Sequence, residues 1–241
     1  MGGDAELATA VSHEVTTIDD VLGVMDAIQA VVQDDGIGCF NRLYRLTTKN
    51  IQGTLTAGGF VDAAFTTRLD VVFARYYFRA LGAFVTGDPS TPRAWLPLFQ
   101  RRADADVAPV QFALAGMNAH IDRDLSFALV DVAAELGAFP TTTAPAHRDY
   151  ETVNDVLAAT ERQIKAEFEG ELLRDAEPWA GHIEDVVALY SVRQAREAAW
   201  LRAQAQWALR DMGDASRALS LAIDTTAYLA SRALLLPTRA R

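Results

Sequence analysis

The sequence predicts an all-α fold: a single-domain bundle of about eight helices built around a buried central helix at about residues 109–136. Three observations predict it. Apolar residues recur at spacings of three and four along most of the chain. No segment alternates apolar and polar residues, no Asn-Gly hairpin turn occurs and no repeat has a fixed period. Capping and stop signals cut the chain into pieces of helical length.

The elements follow in order. Residues 1–14 are small and polar without a period and read as a flexible N-terminal arm, leaving 15–241 as the helical domain. Thr17-Ile18-Asp19-Asp20 reads as a capping box, and Ile18, Val21, Leu22, Met25, Ile28 and Val32 form the stripe behind it. Asp34-Asp35-Gly36 ends that helix. A second helix, about 39–56, carries Phe40, Leu43, Tyr44, Thr47 and Ile51 and closes at Gly58-Gly59. A third, about 62–85, starts at Asp62 and carries Phe65, Leu69, Val72, Phe73, Tyr76, Tyr77, Ala80 and Phe84. Thr91-Pro92 opens a short helix to about 102. Pro109 opens the central helix, apolar round most of its circumference, as a helix buried in a bundle is. Gly137 ends it, and 137–147 is a loop. A long helix follows over about 149–174 with Asp149 as its cap, and Glu177-Pro178-Trp179 breaks it. The last two helices span about 183–212 and 214–235.

Composition narrows the function. Half of the 241 residues are apolar, and 32 acidic residues oppose 22 basic ones for a formal charge of −10. That balance argues against nucleic acid as a partner, because phosphates require a basic face. No apolar run is long enough to span a bilayer, so no membrane partner is expected. The start of the chain lacks the basic and apolar regions of a signal peptide. Cys39 is the single cysteine, which rules out an intrachain disulfide and points to a reducing, cytoplasmic setting. There is no Gly-rich phosphate loop, no nucleophile elbow, no C-x-x-C and no HExxH, so no cofactor is expected.

Polar residues gather on the central helix: Asn118, His120, Asp122, Arg123 and Asp124. His120 and Asp124 lie one turn apart on one face, with Gly116 and Asp131; Asn118 and Asp122 lie on nearly the opposite face. Buried polar groups must find partners or line a wet cavity. A carboxylate at i+4 fixes an imidazole's tautomer and raises its basicity, so His120 and Asp124 are the candidate catalytic pair. Gly116 would leave room beside the ring for a ligand or a close helix. The alternative is a structural hydrogen bond between helices. Metal ligation by His120 and Asp124, completed by Asp149 or Asn154, is weaker: the other histidines (His13, His147 and His182) fall in loops or termini, and no metal is assigned. Asn154 lies among inward-facing Val153 and Leu157, and buried Asn needs definite partners. Arg196, one turn before Trp200 on a stripe with Val186, Val187, Leu189 and Tyr190, is expected to stack on that indole and to pair with Asp124 or Asp122. Tyr44, Tyr76 and Tyr77 can reach a central cavity or be ordinary core.

The run Gly116-Met117-Asn118-Ala119-His120-Ile121, then Asp124-Leu125, resembles the hallmark of a bacterial, mainly actinobacterial family of unknown function with a GMNAHIN-x-DL signature. Phe40…Tyr44, Asp70…Phe73…Tyr76-Tyr77-Phe78…Ala80, Asp149-Tyr150…Val153-Asn154 and Arg196-Glu197…Trp200 extend the similarity over most of the chain. Asp122 departs from the pattern, which usually has Asn there. The resemblance implies a fold and a site, not a reaction.

The expectation is an enzyme acting on a small, largely apolar molecule between helices. His120 is the acid/base and Asp124 its orienter; Asn118, Asp122, Asn154 and Arg196 position substrate, and Phe73, Tyr77, Trp200 and Tyr44 wall the pocket. Cyclase or lyase chemistry of specialised metabolism is preferred. A metal-dependent hydrolase using His120, Asp124 and Asp149, and a non-catalytic ligand-binding or scaffold bundle, are the alternatives. The expected partner is a small-molecule ligand, with a homodimer left open.

Overall fold

A computed structural model describes residues 2–175 and 191–237, and those residues form helices and their connections without a strand. The all-α expectation holds. None of the described helices is long and apolar enough to cross a membrane. The helix break at Glu177-Pro178-Trp179, His182 and the stripe Val186, Val187, Leu189 and Tyr190 lie outside the described residues.

The first helix was not expected. Residues Gly2–Val11 form α1 rather than a flexible arm, with Leu7 fully buried and Ala10 nearly so. Two inward positions sufficed to dock it, too few to register as a period against small polar neighbours. The Thr17 capping box starts α2 (Ile18–Val32), where Thr17 Oγ1 accepts from Asp20 N at 3.1 Å. Asp35 caps α3 (Gly36–Thr56), three residues before the expected start, by accepting from Gly38 N at 3.0 Å. Asp62 caps α4 (Ala63–Val85) as expected. The segment after Thr91-Pro92 is a single 3₁₀ turn, Arg93–Trp95, followed by α5 (Leu96–Arg101).

The central helix comes in three parts. Its α-helical ends are α6 (Pro109–Met117) and α7 (Leu125–Leu136), and between them Asn118–Asp124 is wound as a π-helix. Leu125 N–H bonds to His120 O, five residues back. Gly137 closes α7 in the left-handed region, at φ 75°. Then come α8 (Pro145–Asp175), α9 (Val192–Leu209) and α10 (Gly213–Leu234).

Asp149 is not the cap of α8, which begins at Pro145. Its carboxylate instead accepts from the backbone N–H groups of Val61 and Asp62, tying α8 to the start of α4. Those donors lie just before the first turn of α4, at its cap and the residue preceding it, where a carboxylate is stabilising wherever in the sequence it comes from. Besides a small cluster of Ile51, Phe60 and Val153, two large apolar cores result. One joins α1–α3, one side of α4, the 3₁₀ turn, α5 and α6; the other joins the opposite side of α4 to α7, α8 and α9. Phe73 and Met117 pack against both, and the π-helical turn lies at that seam.

Candidate functional site

The π-helical turn lies at the centre of the site. A π turn spends an extra residue per backbone hydrogen bond and occurs frequently at functional sites. Here the turn points His120 and Asp124 one way and Asn118 and Asp122 toward other neighbours.

His120 is 2% exposed. Its Nδ1 is 3.1 Å from Asp124 Oδ2, and burial pushes the imidazole pKa down against the opposing pull of that carboxylate. A neutral ring beside a carboxylate places its proton on Nδ1, which donates, and leaves the lone pair on Nε2. Nε2 is buried and has no hydrogen-bond partner among the described residues. Five aromatic rings surround the imidazole. Phe73 stacks flat on it, with centroids 3.5 Å apart and planes at 5°. Tyr44 meets it edge-on at 4.5 Å, and Phe40, Trp95 and Tyr77 stand at 5.8, 5.9 and 6.2 Å.

Asp124 is fully buried and heavily bonded. Besides His120, Oδ2 accepts from Trp95 Nε1 at 2.9 Å, and Oδ1 accepts from Arg123 Nη1. Arg123 Nε continues to Asp224 Oδ1 at 2.9 Å, and Asp224 accepts from the Arg93 and Ala94 backbone N–H groups at the start of the 3₁₀ turn. This chain fixes the carboxylate, which fixes the imidazole.

Among the predicted wall residues, Tyr44, Phe73 and Tyr77 do surround His120. Trp200 does not: it packs with Phe139, His147 and Tyr150 in the second core. Arg196 is buried as expected but has other partners. Its guanidinium stacks over Tyr150, 4.1 Å from the ring centre, and donates to Asn154 Oδ1 at 2.8 Å and Tyr150 O at 2.6 Å. The acids expected to hold it are taken by nearer arginines, Asp124 by Arg123 and Asp122 by Arg202 at 2.9 Å. Asn154 and Arg196 thus tie α8 to α9. Asn118 Nδ2 donates to Ala227 O and Ser231 Oγ, both at 2.8 Å, and ties the turn to α10. The space beside Gly116 is filled: a Cβ there would stand 2.3 Å from Phe40 Cγ, so the glycine admits Phe40 rather than a ligand. Asp131, expected on the His120 face, accepts from Tyr76 OH at 2.8 Å.

Asp70, Trp95 and the Arg123–Asp224 pair are site components that the sequence reading passed over. Asp70 carried a signal, a carboxyl inside the apolar stripe of Leu69, Val72 and Phe73. Its side chain is buried, its Oδ2 has no hydrogen-bond partner among the described residues, and burial pushes its pKa up to about 7. Trp95 carried a weaker one, since a buried indole N–H needs an acceptor.

The described residues contain no group of three His, Cys, Asp or Glu side chains able to hold a metal. His120, Asp124 and Asp149 therefore do not form the ligand set considered from the sequence. What the site offers is a fixed, buried imidazole among aromatic rings.

No curated protein and no solved structure matches the chain. A family model does, over residues 18–237. The chain belongs to that family, DUF5995, a family of unknown function.

Proposed function

We propose that the protein is an enzyme acting on a small, largely apolar molecule, with His120 as the acid/base group and Asp124 as its orienter. One observation carries this reading: His120 Nε2 is buried without a hydrogen-bond partner among the described residues while Nδ1 is bound to a carboxylate with further partners of its own. An unsatisfied buried polar atom costs about 1–3 kcal/mol, and native folds keep few of them without a use. A neutral imidazole with Nδ1 so held presents Nε2 as a base near neutral pH. Water exclusion by the five rings strengthens every electrostatic contact inside.

The chemistry this suits is proton removal and return on an uncharged substrate. Elimination, ring closure or rearrangement of a specialised metabolite is our preferred form of it. A cytoplasmic setting accords with the lone cysteine, Cys39, which requires no oxidising compartment. A second reading, binding without turnover, is favoured by Asn118, Asp122, Asn154 and Arg196, which all serve as ties between helices.

The test is to incubate purified protein and its His120→Gln variant with small-molecule extract of the source cells and to compare the products by mass spectrometry. At least one apolar metabolite is expected to be consumed by the wild type alone. Retention of a metabolite by both proteins, with no conversion by either, would replace catalysis with binding.

A further inference from the structure

Ten buried side-chain nitrogen or oxygen atoms lack a hydrogen-bond partner among the described residues, and six of them sit on α3, α4 and the π turn. They are Tyr44 OH and Thr48 Oγ1 on α3, Thr66 Oγ1, Asp70 Oδ2 and Tyr77 OH on α4, and His120 Nε2 on the π turn. The helix geometry aligns them. Tyr44 and Thr48 are one turn apart on α3; Thr66, Asp70, Phe73 and Tyr77 follow one face of α4. Ring contacts set the level of the two helices: Phe40 meets Tyr77 at 5.0 Å and Tyr44 meets Phe73 at 5.9 Å. One turn further along this antiparallel pair, Thr48 and Asp70 come level with each other. Tyr44 links the ends of the row, since its ring centre lies 4.5 Å from that of the imidazole, and burial first, then the nearby Asp70 and Asp124 carboxyls, raise its pKa.

We propose that Asp70 is the second proton-exchanging group of the His120 site, and that the two face one neutral ligand, which donates a hydrogen bond to Nε2 and accepts one from the Asp70 carboxylic acid. This rests on the reading of His120 as the base of the site. The ligand class follows from the donors and acceptors available. A protonated carboxyl donates, a bare ring nitrogen accepts, and tyrosine or threonine hydroxyls do either. A hydroxyl and a carbonyl carried on an apolar body satisfy both ends. An anionic group would meet Asp124 and Asp70 with no cation to spare, because Arg123 is held by Asp124 and Asp224.

Several charged groups on α4 and on the elements packed against it are engaged elsewhere. Asp149 holds the Val61 and Asp62 N–H groups, Asp131 holds Tyr76, Glu135 holds Arg68, and Arg75 donates to Val15 O. Burial alone raises the Asp70 pKa, and the value of about 7 keeps a large neutral fraction near neutral pH.

Infrared spectroscopy of the full chain, with aspartate carboxyl carbons labelled, tests this. A protonated-carboxyl stretch is expected to fade as pH rises through about 7 and to be missing from Asp70→Asn, whose near-identical shape preserves the fold. Hydroxyacetone, a neutral hydroxy-ketone, is expected to shift that band in the wild type, whereas the glycolate anion leaves it unmoved. The apparent affinity for hydroxyacetone should fall roughly tenfold in Asp70→Asn and, by melting temperature, roughly tenfold in His120→Gln. A wild-type spectrum lacking the band at mildly acidic pH would overturn the proposal, as would glycolate acting as strongly as hydroxyacetone. If hydroxyacetone binds His120→Gln as well as wild type, the two groups do not share a ligand and the proposal fails, while the metabolite comparison with His120→Gln still decides separately whether His120 is a base.

Discussion

The π-helical turn presents two polar faces to the interior, and they differ in one respect. On the Asn118–Asp122 face the bonds are closed: Asn118 donates to Ala227 and Ser231, and Arg202 binds both the carboxylate and the backbone carbonyl of Asp122. On the His120–Asp124 face the carboxylate is likewise satisfied, but the imidazole Nε2 has no hydrogen-bond partner among the described residues. The same seven residues thus combine a satisfied polar network, which positions helices, with a buried polar atom that is costly unless something binds it.

The comparison can be broken by disturbing either face. The largest loss is expected for Arg123→Met, which strands the fully buried Asp124: about 3–5 kcal/mol in chemical denaturation. Next is Asp70→Asn, with the opposite sign. The Asp70 pKa is raised from 3.8 to about 7, so the acid favours the folded state fully below about pH 4 and that contribution is lost as pH climbs to about 7. The Asn variant should match wild type near pH 4 and be more stable by up to about 4 kcal/mol near pH 8. A smaller loss, about 1–2 kcal/mol, is expected for Asn118→Ala, which removes bonds from the closed face without touching His120. Arg202→Ala should cost about 1 kcal/mol or less, because the Arg202–Asp122 pair is partly exposed. Turnover, once a substrate is in hand, should survive the last two changes and fail in the first.

How much of this was legible in the sequence depends on the range of each interaction. Helices, their caps at Thr17 and Asp62, and the His120–Asp124 pair are local and were readable from spacing. The π turn was not, because a run of apolar residues broken by charge looks the same to an α period and to one slipped residue. Partner choice was not legible either. Arg196 was matched to the central acids on charge, yet Arg123 and Arg202 are nearer, and the Asn154 amide and Tyr150 ring take Arg196. Asp149 reads as a local cap by spacing, yet its carboxylate binds the backbone N–H groups of Val61 and Asp62, 88 and 87 residues away in sequence. Trp95 and Asp224 enter the site from elements that carry no motif.

We predict that His120 is a neutral imidazole with its proton on Nδ1 and a bare Nε2. Nitrogen-15 NMR of the histidine-labelled protein, with His120→Gln used to assign the signal, reads this directly. Near neutral pH the account predicts a protonated Nδ1 and an unprotonated Nε2, with a titration midpoint below the ordinary histidine value of 6.5. A proton found on Nε2, or an imidazolium persisting to neutral pH, would contradict it.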